Sequence, residues 1–140
     1  MSIVEIEKKI IEEFEIFGAE WEGKYEHLID LGKSLPLIDE KYKTDDRLIK
    51  GCQSRVWMHS ELKDGKVIYT AESDAIITKG MVALMVRVLS NQKPEDIMKA
   101  DLNFINTIGL TEHLSPTRAN GLVSMIKQMK MDAQALSLKV

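Results

Sequence analysis

The chain has 140 residues, 44% of them apolar and 29% charged, with 19 basic and 22 acidic side chains and a net charge of −3. That length suits one domain burying roughly 70% of its unfolded surface, and the composition excludes a disordered chain. Charges of both signs are interspersed, so no concentrated basic face for nucleic acid is expected, and no apolar run approaches the roughly 18 residues of a membrane span.

Ser2 followed by Glu5 forms a capping-box pattern, and Ile3, Ile6, Ile10, Phe14 and Phe17 recur at helical spacing until Gly18. This opening, "MSIVEIEKKIIEEF", is acidic and amphipathic rather than a cleavable signal, which predicts a cytoplasmic protein. A second helix carries Trp21, Tyr25, Leu28 and Ile29 on one face and stops before Pro36, giving an N-terminal helical hairpin. Residues 37–47 are polar and irregular in pattern. "RVWMHSEL" and "VIYTAES" then read as strands around an Asp64-Gly65 turn, and "RLIK" before them as a third short strand. Ser73 or Asp74 can cap a following helix with Ile77, Met81, Leu84, Met85 and Val88 on its stripe, closed at Asn91. Pro94 opens a short helix, "LNFINTIG" reads as another short turn or helix, and Ser115-Pro116 begins a long one with Leu122, Met125, Ile126, Met129, Ala133 and Leu136 on one face. The expectation is a single α+β domain over 1–140: a helical hairpin, a small three-stranded antiparallel sheet, and C-terminal helices packed on it. Ordinary core stripes predict a monomer or weak homodimer.

A metal or cluster site needs several converging ligands, and the sequence offers one cysteine and the scattered His27, His59 and His113. The eight glycines match neither phosphate-loop nor dinucleotide spacing. The acid pairs Glu12-Glu13, Asp39-Glu40 and Asp45-Asp46 read as solvated surface, and Met81, Met85, Met125 and Met129 as core.

Cys52, the only cysteine, stands in "LIKGCQSRVWMH". A free cysteine is often just a small buried hydrophobe. Here Gly51 and Ser54 suggest a tight connection whose backbone N–H groups can turn toward an anion, and Lys50 and Arg55 add charge that favours a thiolate. A cysteine hydrolase needs a base and an orienter, and nothing in spacing ties His59 or His113 to Cys52. A dithiol oxidoreductase needs a second cysteine. A lone thiolate can still attack the outer sulfur of another protein's persulfide and carry that sulfur away. A non-covalent binding module and a cluster scaffold sharing ligands across a dimer remain as rivals.

"IKGCQSRVW", "ESDAIITKGMVALMVRVLS" and "SPTRANGLVSMIKQMK" together resemble the SufE family of sulfur acceptors, of the SufE or CsdE type, over nearly the whole chain. Family members often have aspartate where Glu72 stands. The resemblance implies a fold akin to IscU-like iron–sulfur scaffold proteins and a SufS-like cysteine desulfurase as partner, whose pyridoxal phosphate stays with the desulfurase; this chain itself is expected to need no cofactor. It further implies a sulfurtransferase-type acceptor with a persulfide on Cys52, passing sulfur on to a SufBCD-like cluster scaffold, with Lys50, Gly51 and Arg55 supporting the site. Arg118, within "TRANG", matches a typical family position without an assigned role. Val56, Trp57 and Met58 are expected to wall the thiol, in a turn that holds the side chain inward when alone and outward when docked.

Overall fold

The computed structural model describes residues 1–36 and 38–139; Leu37, the first residue of the segment expected to be irregular, lies outside them. In chain order the elements are α1 (Ile3–Glu15), α2 (Trp21–Lys33), two 3-10 turns (Glu40–Tyr42 and Asp45–Arg47), β1 (Val56–Lys63), β2 (Lys66–Ser73), α3 (Ile76–Leu89), α4 (Pro94–Lys99), α5 (Phe104–Thr107), α6 (Leu110–His113) and α7 (Pro116–Ser137). The architecture is α+β, as expected.

Helix α1 begins with the capping box: Ser2 Oγ accepts from Glu5 N at 3.2 Å, and Ser2 N donates to Glu5 Oε1 at 3.3 Å. Its partner is not α2 in the manner of a hairpin. α2 lies along α3 and meets α1 through side chains, His27 being held by Glu13 and the rings of Phe14 and Phe17. The reason is a glycine crossing. A Cβ on Gly32 would stand 3.0 Å from the Gly80 nitrogen, and one on Gly80 would strike the Leu28 carbonyl, so α2 and α3 touch backbone to backbone.

β1 and β2 pair antiparallel from Val56↔Ser73 to Lys63↔Lys66. Asp64 and Gly65 both take positive φ, 53° and 78°, as a two-residue hairpin turn demands. Among the described residues the sheet has two strands rather than three. The "RLIK" segment contributes a single bridge, Leu48↔Trp57, with Ile49 N donating to Val56 O at 2.9 Å. A 3-10 turn ends at Arg47 and Gly51 reverses the chain at φ +91°, which leaves no length for a ladder. The other edge is closed similarly, Val67 N donating to Gln92 O at 2.9 Å.

The ribbon buries Val56, Met58, Val67, Tyr69 and Ala71. α3 is covered by α2, by β2 and by α7, so Val82, Ala83, Val86 and Leu89 are buried beside the expected Met81, Leu84, Met85 and Val88, while Ile77 is only partly buried. α7 packs Leu122, Met125, Met129 and Ala133 inward, mainly on α4 and α3. Tyr69 Oη donates to Met129 O at 2.6 Å and fastens the ribbon to α7; burial pushes its phenol far above the usual range.

Candidate functional site at Cys52

Gly51 lets the loop carrying Cys52 lie against α7, which it meets at Ser124 and Gly121. Gly51 sits at φ +91°, where a side chain is strained, and a Cβ there would collide with the Ser124 hydroxyl. A Cβ on Gly121 would come within 3.5 Å of Cys52 Sγ, whose thiol donates to the Gly121 carbonyl at 3.5 Å. The other end of the loop is clamped to the chain before α3: Arg55 N donates to Asp74 Oδ1 at 3.1 Å, and Asp74 N to Arg55 O at 3.3 Å. Asp74 therefore does not cap α3. Ser73 Oγ accepts from Ala75 N at 3.3 Å, and Ala75 holds the cap position without a side-chain bond.

Cys52, Gln53 and Ser54 form one side of an open cleft of about 330 Å³. Thr78 and Met81 of α3 and Thr117, Arg118, Gly121 and Met125 of α7, with Ser115 ahead of it, form the rest. The two methionines are 1% and 0% exposed, an apolar floor beneath a polar rim. Cys52 is half-buried, and that burial alone raises its thiol above the ordinary cysteine range, so the resting group is the protonated thiol.

Several expected supports lie elsewhere. Lys50 and Arg55 are exposed and line no part of the cleft. Val56 and Met58 are buried in the ribbon and Trp57 carries Lys43 over its ring at 5.1 Å, so none of them walls the cleft; Met81 and Met125 do. Arg118 gains a place. It is exposed on the cleft rim in the first turn of a 22-residue helix, where Ser115 Oγ accepts its N–H at 3.3 Å. Guanidinium and helix N-terminus make this rim the electropositive side of the site. The Ser-Pro start of α7 was visible in sequence; its meeting with Cys52, far along the chain, is a property of the fold.

No histidine lines the cleft. His27 is bound by Glu13 at 3.1 Å, His59 stacks on Tyr42 at 3.6 Å, and His113 stacks on Trp21 at 4.1 Å. Among the described residues no three His, Cys, Asp or Glu side chains gather where they could hold a metal ion. Glu13, read as solvated surface, instead accepts two hydrogen bonds from Arg87 at 2.9 and 2.6 Å, which holds its carboxyl below the usual range. The cleft thus joins one nucleophile to an apolar floor and a cationic rim, without a general base.

The fold has a counterpart among solved structures. A solution structure of a hypothetical protein from Thermus thermophilus superposes with a TM-score of 0.79 over 95% of this chain and 96% of that one, at 19% identity. An uncharacterised SufE-like protein of Rhizobium meliloti (strain 1021) is 40% identical over 90% of this chain and 93% of its own length. An uncharacterised SufE-like protein of Synechocystis is 37% identical over 93% of this chain and 81% of its own. The chloroplastic/mitochondrial SufE-like protein 1 of Arabidopsis thaliana is 36% identical over 98% of this chain, which spans 38% of that longer protein. A family model described as "SufE: Fe-S metabolism associated domain" matches residues 8–133, and with these relatives it places the chain in the SufE family.

Proposed function

We propose that this protein is a sulfur acceptor for a pyridoxal-phosphate cysteine desulfurase and delivers sulfur for iron–sulfur cluster assembly. The observation that carries the reading is the solitary thiol of Cys52 in a cleft with a thioether floor and a cationic rim. The Cys52 thiolate attacks the terminal sulfur of the desulfurase persulfide. A sulfur–sulfur bond forms at Cys52, the donor's sulfur–sulfur bond breaks, and the donor leaves as a thiolate. No base or second cysteine is needed once the thiol is ionised. Pyridoxal phosphate serves on the desulfurase, and this chain needs no cofactor of its own. A SufBCD-like scaffold is the proposed recipient, and a reducing compartment such as the cytoplasm suits the free thiol.

The raised thiol pKa calls for a second state. In the inward position burial shields a carried persulfide from solvent oxidants, and it holds the free thiol, which donates to Gly121 O, in its protonated form. Docking releases the loop, and in the outward position the thiol ionises beside Lys50 and Arg55. The variant Cys52→Ser should dock on the desulfurase with near-native affinity yet lose all stimulation of its turnover. Full stimulation by the serine variant would favour a non-covalent regulator instead.

A further inference from the structure

A second cleft, of about 300 Å³, shares no lining residue with the first. It lies among the second 3-10 turn, β1 and the later turns of α7. Asp132 enters it with both oxygens already oriented: Oδ2 accepts the Ser60 hydroxyl at 3.2 Å, and Oδ1 accepts the Gln128 amide at 2.8 Å. Both donors are neutral, and among the described residues no Lys, Arg or His pairs with this carboxylate. Two of its roughly four acceptor positions are free. The field of this carboxylate is felt at Tyr69 and His59, where it favours the protonated forms.

The same cleft has a donor end. Arg47 Nε donates to His59 Nδ1 at 3.3 Å, so the neutral imidazole carries its hydrogen on Nε2 and is itself a donor. Desolvation, then Arg47, lower the pKa of His59 and keep it neutral. The imidazole is fixed by parallel stacking on Tyr42, and the guanidinium lies over the same tyrosine ring at 4.6 Å. Among the described residues Arg47 has one acid partner, the exposed Asp46 at 3.5 Å, a surface pair weak enough to exchange for a ligand carboxylate.

We propose that this cleft binds a small zwitterion of the α-amino acid class, its ammonium on Asp132 and its carboxylate on Arg47 and His59. An anion alone would meet Asp132 and Asp46, and a cation alone would meet Arg47; a molecule bearing both charges satisfies both ends. The cleft, about 300 Å³ and open to solvent, admits a small amino acid.

The test is titration of glycine and of L-alanine into the 15N-labelled chain, read by NMR, with acetate and methylammonium as single-charge probes. Saturable shifts centred on Arg47, His59, Ser60, Gln128 and Asp132 are expected with the amino acids and not with either probe. Asp132→Asn and Arg47→Gln should each weaken binding at least about ten-fold, the loss of one charge-assisted contact. If Asp132→Asn fails to fold, Arg47→Gln decides. Absent shifts, equal response to acetate or methylammonium, or undiminished binding by Arg47→Gln would each overturn the proposal.

Discussion

At Cys52 the chemistry is set by what the thiol lacks as much as by what it touches. Half-burial raises its pKa, and a folded-state pKa above the unfolded one means stability that is fully present below the unfolded thiol pKa and lost as pH rises through the folded value. Alkylation of the free protein should therefore climb with pH along a curve displaced above the ordinary thiol value of about 8.5. Added desulfurase should accelerate alkylation at neutral pH, and an unchanged or slower rate would contradict the outward state. Gly51 gives a second residue-scale prediction. Gly51→Ala places a side chain at φ +91° against the Ser124 hydroxyl, which should destabilise by about 1–2 kcal/mol and speed alkylation of a displaced loop. Ser124→Gly in the same chain should recover the steric part alone. Equal stability of Gly51→Ala and wild type would contradict the observed turn.

Among the elements, α3 fixes the frame in which the cleft forms, because α2 docks on it through Gly32 and Gly80. Gly80→Ala should cost about 2 kcal/mol or more in urea unfolding, since the obstruction is the backbone carbonyl of Leu28, which cannot rotate aside as a side chain would. The Glu13–Arg87 pair ties α1 to α3 with His27 of α2 as a third member. Glu13 is held below the ordinary carboxylate range chiefly by the Arg87 hydrogen bonds, so its contribution is present above the unfolded carboxyl pKa and lost as pH falls through the depressed value. The stability gap between wild type and Glu13→Gln, followed by urea titration, should close on acidification; a gap that persists at low pH would assign the effect to packing.

Helices α1 and α7 were legible in sequence because caps and apolar spacing are local: Ser2 with Glu5, and Ser115 with Pro116, stand where patterning puts them, as does the Asp64-Gly65 turn. The third strand was not, since "RLIK" has strand-like residues but its length is consumed by a 3-10 turn and by Gly51. The docking of α2 along α3 was hidden as well, because two isolated glycines, Gly32 and Gly80, say nothing of each other until the chain is folded. Cys52 itself was readable as the solitary thiol, whereas its floor of Met81 and Met125 and its rim at Arg118 come from α3 and α7, elements distant in sequence.

For the whole molecule, the proposal is one domain serving one sulfur atom, with membership of the SufE family as its setting. In that setting the sulfur resides covalently on Cys52. Mass spectrometry of the full chain after incubation with a cysteine desulfurase and free cysteine tests for it. One added sulfur atom, mapped to Cys52 and absent from Cys52→Ser, is the predicted result. A desulfurase accelerated by a chain that acquires no sulfur would contradict it.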